Sequence, residues 1–204
     1  MQEAKIHEFN TAYGPVCIRA WAPRELLREL TIGEGLGAFW YYSVEKTRTN
    51  LFQSLSNPQS EIILAYTPDK LLIGYLLISL PGRRGRWRRL GIVYETTIEV
   101  AREWRRYGIA SKLLSTAIED PHWQDKIFLA EGYSWAWDLE GTGLSPAEYR
   151  EIWKNMMARF GFIEVKTDDP GILGDPWSLM MAWVGPKVDE EKKSLFFQNL
   201  VMTV

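Results

Sequence analysis

Cysteine is almost missing from this chain: Cys17 is the single one in 204 residues, so no intrachain disulfide can close and burial must hold the fold. An unpaired thiol fits a reducing compartment, the cytoplasm. Histidine is nearly as scarce, with only His7 and His122. A metal reading of His7 would need companion ligands, and His122 is read without a cysteine or carboxylate partner at ligand spacing, which argues against a metal site; the scarcity argues against a histidine-based nucleophilic triad. Both read as surface histidines. No stretch approaches the ~20 apolar residues that a membrane span needs, and no N-terminal basic region precedes an apolar run, so the reading is a soluble, unexported chain. An excess of one charge is lacking too. The 24 Lys and Arg stand against 26 Asp and Glu, a net charge of −2, which removes any whole-protein argument for nucleic acid. Internal repeats and low-complexity segments are absent.

What is present reads as one domain over 1–204, because 46 % hydrophobic content in a chain of this length can bury a substantial core. Alternation predicts a strand at 15–20, and Leu26, Leu27 and Leu30 predict a short helix over 24–31. A second helical pattern covers 39–55, where Trp40, Tyr41 and Tyr42 read as core packing ahead of substrate contact. Two nearly continuous apolar runs, 61–66 and 71–78, predict a mid-sheet hairpin turning at Pro68-Asp69, with Gly74 marking a bulge or a close backbone approach. Residues 81–89 carry five arginines around Trp87. They read first as a solvated hairpin loop, and then as a patch for a protein partner or for the 3′-phosphate of a nucleotide. Further strands are expected at 91–100, 126–131, 162–165 and 178–183, and helices from 104 to 120 and from the Ser145-Pro146-Ala147-Glu148 capping box to Gly161. The tail, 188–204, is expected to be helical, and Leu195, Phe196, Phe197 and Leu200 must dock on the body or on a second copy, a homodimer.

The stretch from Glu95 to Leu114, ETTIEVAREWRRYGIASKLL, turns from β-rich to helical. A strand ends at Glu99-Val100, and Ile109, Leu113 and Ala117 then recur on one helical face. Between them, Gly108 and Ala110 let backbone amides approach a ligand closely at the positive end of the helix dipole, a geometry that binds phosphates.

The run from Val100 to Ala110, an aliphatic strand end followed by Arg-x-x-Gly-x-Ala, resembles the phosphate-binding motif of the GNAT superfamily of N-acetyltransferases. The resemblance implies an α/β fold whose central, mostly antiparallel twisted sheet is flanked by helices. It implies acetyl-CoA as co-substrate without a metal, held at Val100, Arg105, Arg106, Tyr107, Gly108, Ile109 and Ala110. Transfer to an amine needs the amine neutral, so a carboxylate on this strand would serve as general base. Glu95 and Glu99 are the candidates, with the same side-chain parity. In some bacterial protein lysine acetyltransferases of the superfamily the base lies five residues before the position of Val100, which is Glu95 here. Glu131 is a third candidate, because other members take the base from the next strand. Phe160-Gly161-Phe162 is similar to the superfamily's Leu-Gly-Phe, but where a tyrosine often protonates the departing thiolate this chain has Met157. The acid is left to Tyr149, to Tyr133 or to no protein group, since a thiol of pKa ~8.5 is a fair leaving group.

Tyr133-Ser134-Trp135-Ala136-Trp137-Asp138-Leu139, Tyr149-Arg150, Met156-Met157, Thr167 to Ile172 and Leu179 to Ala182 resemble the acetoin utilisation acetyltransferases, over about residues 98–185. That resemblance implies a protein acceptor, a lysine of acetyl-CoA synthetase, whose activity the transfer lowers. Without it, alternation puts Trp135 and Trp137 on one face, where burial against the sheet is read ahead of stacking on a substrate, with Asp138 capping a turn. Two other classes stay open. A small-molecule amine acetyltransferase would use Glu131, Asp138 and Glu140 to attract a cation, and a CoA-binding regulatory module would carry no chemistry.

Overall fold

The computed structural model describes residues 6–38, 43–82 and 86–201. Trp40, Tyr41, Tyr42, Arg83 and Arg84 lie outside the described residues. Two compact units divide the chain: Met1–Ser79 with Thr97–Ala117, and Leu80–Thr96 with Ile118–Val204. The fold is mixed α/β, and most strand pairs are antiparallel.

In the first unit, β1 (Ile6–Thr11), β2 (Gly14–Arg19), β4 (Glu61–Tyr66) and β5 (Leu71–Ser79) pair antiparallel in that order, and the two-residue β3 (Thr31–Ile32) runs parallel to β5. The apolar runs of β4 and β5 are buried on both faces, as expected of mid-sheet strands. Their turn closes through Lys70 N to Thr67 O at 2.9 Å. Gly74 meets both expectations. The β4–β5 register shifts between Ala65 and Tyr66, and a Cβ on Gly74 would come within 3.1 Å of the Glu99 carbonyl oxygen. Strand β1 is absent from the sequence reading, because IHEFNT has too few apolar residues to alternate and its residues stay half-buried or exposed at the sheet edge. Helices α1 (Arg24–Glu29) and α2 (Val44–Ser54) follow the expected patterns with shorter spans, α2 starting from Ser43, whose side chain caps Lys46 N. The unit also holds the C-terminal half of β6 (Val93–Val100) and nearly all of α3 (Ile109–Ile118), whose Ile109, Leu113 and Ala117 are buried.

In the second unit the N-terminal half of β6 runs parallel to β7 (Ile127–Gly132). Helices α4 (Leu139–Thr142) and α5 (Pro146–Ala158) come next, the latter opened by the full capping box of Ser145 and Glu148. Strand β8 (Ile163–Val165), helix α6 (Pro170–Leu173), strand β9 (Leu179–Val184) and helix α7 (Glu190–Gln198) complete the unit, with β9 antiparallel to both β7 and β8. The basic segment corrects one expectation. Residues Arg86–Leu90 form a 3-10 turn rather than a solvated loop: Trp87 is buried against Phe196 with ring centroids 5.2 Å apart, and Arg86 pairs with Asp168 while also donating to the Leu200 carbonyl at 3.1 Å. Those contacts dock the tail. Phe196 and Leu200 are buried, while Leu195 and Phe197 remain partly exposed. Among the described residues, no helix is long and apolar enough to cross a membrane and no group of three or more ligand-type side chains is arranged to hold a metal.

Candidate active site

In the first unit, the exit of β6 is pinned by Ala101 N donating to Ile73 O at 2.7 Å. Residues Arg102–Trp104 then make a 3-10 turn, and α3 begins only at Ile109, five residues later than the apolar pattern suggests. The reason is backbone conformation. Arg106 and Gly108 take positive φ of 69° and 79°, so helical dihedrals cannot start before Ile109. Glycine bears such a φ easily, whereas Arg106 does so at a cost no sequence pattern signals. A Cβ on Gly108 would have nothing within 4 Å, so the turn presents open backbone, followed by α3's first N–H groups, which helix geometry leaves without intrahelical acceptors. Arg105 Nε donates to Val100 O at 3.1 Å, fixing the loop to the strand end. The exposed ring of Tyr13 packs 5.7 Å from Trp104 and 5.3 Å from Tyr107, centroid to centroid. An open backbone turn ahead of a helix N-terminus is a place where an anion can be accepted.

Glu99, also in this unit, is buried at 7 % exposure. Its Oε1 accepts the N–H groups of Gly37 at 2.8 Å and Ala38 at 2.6 Å, and its Oε2 accepts the Tyr75 hydroxyl at 2.9 Å. Burial pushes its carboxyl pKa up, while the Ala38 N–H, the Tyr75 hydroxyl, the Gly37 N–H and the Arg105 charge pull it down, and the net direction is up. Burial and the Glu99 charge drive the Tyr75 hydroxyl well above its ordinary range. Both carboxylate oxygens are thus occupied in tying the 33–38 loop to β6. The loop lies tight against the next turn, since a Cβ on Gly35 would come within 2.5 Å of Arg102 N. Neither Tyr75 nor the loop amides, 62 residues away for Gly37, carries a sequence signal of this role.

In the second unit, parallel register pairs Glu95 with Leu129. Paired residues point to one face, and Glu131 lies two residues beyond Leu129, so both carboxylates share a face on adjacent strands. At the end of that ladder the Leu129 carbonyl accepts Thr96 Oγ1 at 2.9 Å. Burial, and then the Glu131 charge, push the Glu95 carboxyl from an ordinary 4.5 up to about 7. Glu131 is raised chiefly by burial and accepts the Tyr133 hydroxyl at 2.8 Å. Among the described residues no hydrogen bond reaches the Glu95 carboxylate. A carboxyl half-ionised near neutrality, without donors competing for its lone pairs, is suited to take a proton from an amine.

Other expected roles resolve against this geometry. Met157 is wholly buried and offers no proton. Tyr133 is raised far above the usual phenol range by burial and by Glu131, which makes it a poor acid, and Tyr149 stacks on Trp137 at 5.0 Å. Asp138 Oδ1 caps α4 through Gly141 N at 3.0 Å, as a turn cap should. Trp135 departs from the expected burial: the segment 134–136 is a 3-10 turn rather than a strand, and the ring is 65 % exposed, stacked on Tyr133.

The sequence pattern of the Acetyltransferase (GNAT) family matches residues 24–129. Acetoin utilization protein AcuA of Bacillus licheniformis is 29 % identical over 192 residues, 93 % of this chain and 90 % of that protein. AcuA of Bacillus subtilis is 30 % identical over 142 residues, 68 % of this chain and 67 % of that one. The crystal structure of an acetoin utilization protein from Exiguobacterium sibiricum matches with a TM-score of 0.89 at 30 % identity, covering 98 % of this chain and 96 % of that chain. The likeness therefore extends beyond residues 98–185 into the first ninety residues, where the sequence alone offers no comparable pattern.

Proposed function

Because the chain belongs to the Acetyltransferase (GNAT) family and is an acetyl-transferring enzyme, we propose that it moves the acetyl group of acetyl-CoA to a lysine of a partner protein, acetyl-CoA synthetase, and so regulates that enzyme. The observation that carries the reading is Glu95, a carboxyl pushed up to about 7 beside Glu131 with no hydrogen-bond donor of its own among the described residues. Bound acetyl-CoA would supply a thioester, whose C–S bond breaks as the new C–N bond forms; the sulfur leaves as the thiolate and takes up the second proton that the amide nitrogen sheds, departing as the thiol. The backbone of Arg105 to Ala110 would hold its pyrophosphate. Glu95 would take the ammonium proton, which a lysine of pKa ~10.4 otherwise keeps at neutral pH. Glu131 would attract the cation and, through its charge, keep Glu95 basic. Glu99 would act as a positioning residue, holding the 33–38 loop rather than moving a proton. No side chain is assigned as acid. The resemblance to AcuA supports the protein acceptor, and such a reaction would run in the cytoplasm.

The test is mass spectrometry of acetyl-CoA synthetase incubated with enzyme and acetyl-CoA. A single acetyl-lysine, formed at a rate proportional to enzyme, is expected. No acetylated lysine, alongside rapid acetylation of a polyamine, would move the chain to the small-molecule class.

A further inference from the structure

The Trp-x-Trp segment leaves an exposed ring that the proposed chemistry does not use. Trp135 is 65 % exposed, Leu173 at the end of α6 is 68 % exposed and Trp177 is 41 % exposed. Large apolar side chains on separate segments, each more than a third exposed, mark an interaction surface when they are held together on a fixed backbone. Here it is fixed. Ser134 N donates to Ser178 Oγ at 3.0 Å, Ser134 Oγ pairs with Asp175, and Trp177 N donates to Asp175 Oδ1 at 3.1 Å, so one cluster braces both tryptophan segments. Helix α6 is fitted to the same place: a Cβ on Gly171 would come within 3.0 Å of the Tyr133 ring.

The surface also joins the acidic site residue by residue. Trp135 stacks on Tyr133 with centroids 5.7 Å apart and planes 22° apart, and Tyr133 donates to Glu131, whose charge acts on Glu95. Negative charge beside exposed aromatic rings complements a cation carried on an apolar stem and flanked by apolar neighbours, whereas a small free amine needs only the charge. We infer that Trp135, Leu173 and Trp177 seat the polypeptide around the acceptor lysine, so that the enzyme selects a lysine bracketed by apolar side chains. The inference rests on the lysine reading above and adds how the acceptor is chosen.

Two peptides test it, one with lysine between leucines and one with lysine between serines, otherwise identical and amidated. Wild-type kcat/KM is expected to favour the leucine peptide by about tenfold, and Trp135→Ala, Leu173→Ala or Trp177→Ala should each erode that preference while sparing the serine peptide. Calorimetric binding of both peptides to Glu95→Gln enzyme, alone and combined with Trp135→Ala, separates docking from chemistry. If no lysine is acetylated but the leucine peptide still binds more tightly and Trp135→Ala removes the difference, the surface stands and the reaction reading falls. If lysines are acetylated with no preference between peptides, or if the variants slow both equally, the docking surface falls and the reaction reading stands. A wild-type dimer in sedimentation that Leu173→Ala dissolves would make these side chains a subunit contact and overturn the inference.

Discussion

Glu99 and Glu95 stand four residues apart on one strand, with the same parity, and meet opposite chemistry. Around Glu99 the protein supplies three donors to two oxygens, so the carboxylate is held as an acceptor and its lone pairs are committed to the 33–38 loop and Tyr75. Around Glu95 it supplies burial and a second carboxylate. Burial raises both pKa values, and so it cannot by itself identify a base. The donors make the difference: a carboxylate that already accepts three hydrogen bonds has one of its about four lone-pair sites left and weakens all three on taking a proton, whereas no described residue donates to Glu95.

The largest expected effect follows directly. Glu95→Gln should lower kcat by about 10²–10⁴ with acetyl-CoA affinity by calorimetry nearly unchanged, because only the proton transfer is lost. The wild-type rate should rise with pH through about 7, where the Glu95 carboxyl ionises, and the variant should lose that limb. Should Glu99→Gln lose the limb and Glu95→Gln keep it, the assignment of the two carboxylates is reversed.

Glu99 is expected to matter for stability instead. Glu99→Ala removes the acceptor for two backbone N–H groups and a buried hydroxyl, and each orphaned buried donor costs about 1–3 kcal/mol, so the denaturant midpoint should fall steeply or the protein should fail to fold. Tyr75→Phe is the milder probe. It removes one hydrogen bond and leaves the loop amides on Oε1, so a loss of about 1 kcal/mol is expected with kcat changed only a few-fold. A kcat loss as large as that of Glu95→Gln in a well-folded Tyr75→Phe enzyme would place Glu99 in the chemistry.

The contrast between the two glutamates was only half legible in the sequence. Periodicity gave β4, β5, β6 and the body of α3, and the Gly108–Ala110 spacing gave the open turn, because each depends on neighbours in the chain. Parity put Glu95 and Glu99 on an equal footing, since the donors that separate them come from Gly37, Ala38 and Tyr75, far away in sequence. The positive φ of Arg106 and the exposed Trp135 were hidden for a related reason. The first sits in a turn tied back to the strand end by Arg105 Nε on Val100 O, and the second in a 3-10 turn where alternation suggests a strand. The basic run at 81–89 misled because composition counts charges and not partners, and Asp168 and the carbonyl of Leu200, which hold Arg86, lie more than eighty residues on.

The smallest effect sharpens the comparison most, because it separates the two causes acting on Glu95. Burial is the larger and the Glu131 charge the smaller. In Glu131→Gln the like charge disappears and the burial stays, so the acid limb of kcat/KM should move to lower pH, by less than the whole displacement from 4.5 to about 7. Stability supplies the second readout. A carboxyl whose folded pKa is raised binds its proton more tightly folded than unfolded, so its contribution is full below 4.5 and is lost as pH rises to about 7. Glu131, also raised, adds to the same decline. Glu131→Gln should therefore flatten the fall in thermal midpoint between those pH values without abolishing it, and the Glu95→Gln, Glu131→Gln double variant should flatten it further, leaving the share of Glu99, whose carboxyl is also raised by burial. A limb that stays at about 7 in Glu131→Gln would mean that burial alone sets the Glu95 carboxyl, leaving Glu131 to attract the incoming cation and nothing more.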